Sequence, residues 1–169
     1  MTSAPFVDVK NLRRLFDVSK PWLNRVIEGG HVEFLKAVDG VTFDIKKGET
    51  FALVGESGSG KTTVARMVVG LLPPTSGDVL IDGVSMAGPK HAQARKRLRR
   101  RIQMIFQDPY ASLNPRWRVK RIIAEPLRTH RLVANEAALR HRVAELLLQV
   151  RLSPADGDKF PHEIGRAHV

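Results

Sequence analysis

The chain has 169 residues, 43% of them hydrophobic and 27% charged, which is enough for one ordinary globular domain with a real core. It has no cysteine, which excludes disulfides and thiolate metal sites, and no apolar run approaches the ~20 residues of a spanning helix. Asp8, Lys10, Arg13 and Arg14 interrupt any signal-peptide-like stretch at the amino end, so a cytoplasmic protein is expected. The net charge is +11, of which residues 83–107 carry +7, with seven Lys or Arg and no acid. The run RKRLRRR at 95–101 reads first as a solvated face and second as an anion-binding patch. No aromatic interleaves with it, which argues against base stacking.

In chain order, residues 6–16 begin with alternation at Phe6, Val7 and Val9 and predict a strand. Residues 34–45 alternate at Val41, Phe43 and Ile45, with Asp39-Gly40 marking a turn or bulge. KKGE at 46–49 reads as a tight turn. TFALVG at 50–55 and IQMIFQ at 102–107 are short apolar runs, the pattern of strands buried on both faces. KTTVARMVVGLL at 61–72 has helical spacing and stops before Pro73-Pro74. DVLIDGVSM predicts a hairpin turning at Asp82-Gly83, and DPYASLNPRW at 108–117 a loop. The clearest helix is 136–150, with Asn135 as its N-cap and Leu139, Val143, Leu146, Leu147 and Val150 on one face, a stripe that needs a partner surface. Residues 19–34 match no pattern and read as a mobile insertion.

Residues 55–62, GESGSGKT, fit G-x-x-x-x-G-K-[ST] in full, with an apolar run before and a helix after. Gly58 and Gly60 let the backbone curl so that its N–H groups converge on phosphate oxygens, and the helix start adds positive potential. Gly55, Glu56, Ser57, Gly58, Ser59, Gly60, Lys61, Thr62 and Thr63 are therefore candidate nucleotide contacts. Lys61 is expected to reach the β- and γ-phosphates, and the Thr62 hydroxyl to ligate Mg²⁺. Glu56 is not assigned as a general base, and the six histidines show no metal-ligand spacing with carboxylates.

GESGSGKTT together with QMIFQDPYASLNPR, whose Gln107 falls 44 residues after Thr63, resembles the ATP-binding subunits of ABC transporters. FQDPYASLNPRW is similar to the peptide (dipeptide and oligopeptide) and nickel importers of bacteria within that family. The resemblance implies an α/β P-loop NTPase fold of the ABC ATPase type, with an antiparallel β-subdomain, part of a parallel-sheet core and part of a helical subdomain. It implies ATP and Mg²⁺ as cofactors, Phe16 stacking on adenine, and Gln107 sensing Mg²⁺ and the γ-phosphate. It also implies a second ATPase subunit as dimer partner and permease subunits that dock on the loop from Asp108 to Trp117, which includes Tyr110. A periplasmic binding protein acts indirectly, and the site of action is the cytoplasmic face of the bacterial inner membrane.

The same resemblance requires Ser-Gly-Gly-Gln soon after KFPHE, then an apolar strand ending in Asp-Glu, then a switch histidine. The residues after Glu163 read IGRAHV instead. The chain is therefore expected to be truncated, with 1–163 a partial ATP-binding domain that lacks the catalytic constellation and does not hydrolyse ATP well. EIGRAHV translates GAG ATC GGA AGA GCA CAC GTC, which after its first base resembles the start of a common sequencing adapter. Residues 164–169 are accordingly expected to be a non-native tail. Two other readings stand beside this one: a soluble ABC-type ATPase acting on nucleic acid, which the DPYASLNPR loop disfavours, and a non-catalytic nucleotide-binding module.

Overall fold

A computed structural model describes residues 4–19, 31–87, 92–108 and 111–164. The insertion reading for 19–34 lies mostly outside these residues, as do Tyr110 and the tail beyond Ile164. The chain divides into two compact units, Met1–Gln103 and Met104–Val169.

The first unit contains β1 (Val7–Asp17), β2 (Phe34–Ile45), α1 (Lys61–Val68), β3 (Ser76–Ile81), β4 (Val84–Ser85) and α2 (Ala92–Arg99). Its sheet has the order β2-β1-β3-β4, and every neighbouring pair is antiparallel. Strict alternation along β1 would place Val9 and Asn11 on one face. Instead Asn11 adopts a positive φ of 46° and the register shifts, so Val9 and Leu12 are the fully buried pair. The Asn11 N–H donates to Thr42 Oγ1 at 2.9 Å, which satisfies the displaced backbone. The Asp39-Gly40 signal proves to be a bulge: Leu12 pairs with Val41 and Arg13 with Asp39, leaving Gly40 (φ 81°) unpaired. The hairpin is where it was expected, with Asp82 and Gly83 both at positive φ and Ile81 paired with Val84.

Helix α1 lays Val64 and Met67, one turn apart, against Val9, Leu12, Val38 and Val79. It ends at Val68, four residues sooner than its spacing suggests. Gly70 takes φ 73°, its N–H donates to Met67 O (3.0 Å), and the Leu71 N–H donates to Arg66 O (2.8 Å). This is a glycine stop of the Schellman type, and it acts before Pro73 is reached.

The second unit is helical, with α3 (Val119–Thr129), α4 (Glu136–Gln149), a 3₁₀ turn at Pro154–Asp158 and the short α5 (Pro161–Ile164). Asn135 caps α4 through a 2.8 Å bond from the Ala138 N–H to its side-chain oxygen. The buried stripe Leu139, Val143 and Leu147 meets Ala124 and Leu127 of α3. The partner surface is thus an upstream helix that the sequence pattern concealed, because Pro126 inside α3 reads as a breaker. Val150 does not join the stripe. It is the C-cap residue and is 65% exposed.

TFALVG and IQMIFQ are not strands here. Neither segment pairs with another, and Val54 and Ile105 are 90% and 91% exposed. A buried parallel strand exists only between neighbouring strands, and among the described residues no parallel ladder forms beside either run. Phe51 is stacked on Phe43 at 4.7 Å, and Ile102, at the start of the second run, packs against the core of the first unit.

Candidate nucleotide site

The phosphate loop runs between Phe51, stacked on Phe43, and the start of α1, which Val64 and Met67 hold against the core. The Ser59 N–H donates to Glu56 O at 3.2 Å, closing a turn across Glu56, Ser57, Gly58 and Ser59. Gly58 and Gly60 have φ of 81° and 89°, the left-handed values that let the loop curl. Gly60 is also the N-cap of α1, and no side chain caps the helix. The Val64 N–H bonds to Gly60 O at 2.9 Å, leaving the N–H groups of Lys61, Thr62 and Thr63 at the helix start for an anion.

Lys61 turns its ammonium back into the loop. Nζ donates to Gly55 O at 2.7 Å, to Glu56 O, and to Ser59 Oγ at 3.2 Å. Three oxygens of the loop therefore hold one cation close to the uncapped start of α1. This donor set fits a polyphosphate: N–H groups face the anion, and a primary ammonium is held in reach to neutralise it. The Thr62 side chain is exposed and supplies a hard oxygen of the type Mg²⁺ accepts, while Thr63 is half-buried. Glu56 and Ser57 are exposed on the outer rim.

Phe16 lies near the end of β1 and pairs with Leu35 of β2. Two residues further along β2, Ala37 abuts Gly60, so one strand carries both the loop contact and the partner of the aromatic. The ring is half-buried, and the Arg14 guanidinium lies 4.7 Å from its centroid. Gln107 belongs to the second unit, where its side chain is exposed. In that unit the loop after it is shaped by side-chain caps: the Ala111 N–H donates to Asp108 Oδ1 (2.9 Å) and the Arg116 N–H to Asn114 Oδ1 (3.0 Å). Trp117, half-buried, sits under the Arg121 guanidinium at 4.0 Å. Sequence reasoning missed Arg14 and Arg121, whose link to an aromatic ring only the folded chain reveals.

The family model described as ABC transporter matches residues 38–166, and the chain belongs to that family. It is 40% identical over 157 residues to the oligopeptide transport ATP-binding protein AppF of Bacillus subtilis, an alignment covering 93% of this chain and 46% of AppF. It is 48% identical over 129 residues to OppF of the same organism, covering 76% of this chain and 42% of OppF. The chain spans about half the length of the curated relatives it matches. Among solved structures, the ATP-binding cassette MJ0796 bound to ADP and Pi superposes with a TM-score of 0.69 at 24% identity, covering 92% of this chain and 62% of that one. CbiO1 of Clostridium perfringens, part of the transporter complex CbiONQ, superposes with a TM-score of 0.60 at 25% identity, covering 94% and 55%. The fold is that of an ABC ATPase.

Proposed function

We propose that the protein binds ATP with Mg²⁺ in the loop 55–62 and serves as the ATP-binding subunit of a bacterial peptide importer. The observation that carries this reading is the threefold seating of Lys61 at the uncapped start of α1. The oligopeptide-transport names of relatives at 40% and 48% identity supply the transported class. In this reading Gly55 to Thr63 hold the phosphates, Phe16 stacks on adenine, and Thr62 and Gln107 serve Mg²⁺. Bound Mg²⁺ would draw charge from the β- and γ-phosphates. In the assembled transporter a second ATPase subunit would complete each site, and permease subunits would dock on the loop from Asp108 to Trp117. A periplasmic binding protein would deliver peptide on the far side of the membrane. The subunit itself would be peripheral, at the cytoplasmic face of the inner membrane; no helix among the described residues is long and apolar enough to cross one.

ATP hydrolysis belongs in this reading to the intact family member. These 169 residues contain no Ser-Gly-Gly-Gln and no Asp-Glu pair, so the polypeptide as given should bind nucleotide without turning it over well. The test is titration of the chain with Mg²⁺-ATP, beside Lys61→Ala. Losing a charge-assisted bond to phosphate, worth about 1.5–3 kcal/mol, should weaken binding at least about tenfold. Equal affinity in the two proteins would end the proposal.

A further inference from the structure

We propose that the exposed face of α2 is an electrostatic contact surface for an anionic lipid bilayer. This inference rests on reading the protein as a subunit that works at a membrane. Gln93, Lys96, Arg97 and Arg100 follow the spacing of one helical face and line a shallow concavity of about 340 Å³. The opposite side of the helix is used internally. Leu98 is buried in the core of the first unit, and Arg95 donates to Ala87 O at 2.9 Å. Arg101, beyond the helix, approaches the Asp82 carboxylate at 3.9 Å.

Among the described residues, Lys96, Arg97, Arg99 and Arg100 make no ion pair with an acid, and residues 83–107 contain none. Like charges crowded on two turns repel one another and destabilise a helix. Such a patch therefore gains from an external anion, and a cytoplasmic leaflet rich in acidic lipid supplies a continuous one. The composition specifies how contact is made. AQARKRLR has no exposed large apolar or aromatic side chain, so the helix would rest on headgroups rather than insert between them. The absence of aromatics likewise disfavours single-stranded nucleic acid. With Leu98 anchored in the core, the basic side chains of the opposite face are left to solvent.

The test is co-sedimentation of the full chain with vesicles of phosphatidylglycerol mixed into phosphatidylcholine, against phosphatidylcholine alone. Each cation near an acidic leaflet is worth roughly fivefold in partitioning, so Lys96→Gln, Arg97→Gln and Arg100→Gln together should lower it about 100-fold. A matched variant with Lys46→Gln, Lys47→Gln and Arg140→Gln should lower it far less, although it removes the same charge. Glutamine keeps helix propensity at these exposed positions, and unchanged circular dichroism confirms a folded variant. Equal losses in the two variants would reduce the effect to net charge and overturn the proposal. Equal binding to pure phosphatidylcholine would also overturn it, as would tighter binding to duplex DNA at the same salt. None of these outcomes bears on ATP binding, which the Lys61→Ala titration reads separately.

Discussion

The carbonyl oxygen of Ala37 occupies the space that a side chain on Gly60 would need: a Cβ added to Gly60 would lie 2.4 Å from that oxygen. The contact joins the edge strand β2 to the start of α1 and sets where the phosphate loop closes. Gly60 also has φ 89°, so it faces both a steric and a conformational restriction. Gly58, at φ 81°, has nothing within 4 Å of an added Cβ. Gly58→Ala should cost only the left-handed strain of about 1–2 kcal/mol. Gly60→Ala should cost more, because a backbone oxygen has to move, and should remove nucleotide binding. Urea midpoints and Mg²⁺-ATP titrations of the two variants would check the order. A larger loss in Gly58→Ala would contradict it.

The Arg14 guanidinium over Phe16 leaves a pre-ordered aromatic beside the strand that carries Ala37. Phe16→Ala should weaken ATP by about 1–3 kcal/mol, the range for base stacking on an aromatic side chain. Inorganic triphosphate, which has no base, should bind as before. Equal weakening of both ligands would show that Phe16 acts through the fold and not through adenine.

Helices α3 and α4 both end in the same Schellman arrangement as α1, yet arginine stands where α1 has glycine. Arg131 (φ 52°) and Arg151 (φ 61°) donate their N–H groups to Arg128 O and Leu148 O, and the following N–H groups, of Leu132 and Leu152, reach Leu127 O and Leu147 O. Both arginines are exposed. Arg151→Gly should therefore raise stability by about 0.5–1 kcal/mol, relief of left-handed strain outweighing the entropy of glycine. A shift of the urea midpoint to higher concentration, at constant slope, is the expected observation.

Among the described residues of the second unit, Asp158, Glu136 and Glu145 titrate below their ordinary range. A hydrogen bond from Lys120 lowers Asp158, one from Arg128 lowers Glu136, and one from Arg142 lowers Glu145. Because each folded pKa is depressed, each group's stabilisation is complete above the ordinary carboxylate range and is lost as pH falls through the folded value. Melting temperature should decline on acidification below about pH 4.5. Glu136→Gln should flatten part of that decline. All three groups are exposed to solvent, so added salt should shrink the effect.

Residues close in sequence defined much of this protein. The loop 55–62, the Asp82-Gly83 hairpin and the Asn135 cap are legible because a turn or cap depends on the φ range and side-chain oxygens of a few adjacent residues. The resemblance carried by FQDPYASLNPR pointed to the family that the comparisons bear out. Tertiary structure decided what depends on a neighbour distant in the chain. TFALVG and IQMIFQ have the composition of buried strands, but among the described residues no parallel ladder lies beside them, so they run as coil with Val54 and Ile105 exposed. The stripe of α4 found its cover in α3, whose Pro126 disguised it, because packing stabilised a helix that local propensity disfavours. The 2.4 Å approach of the Ala37 oxygen at Gly60 likewise follows from where a strand distant in the chain comes to lie.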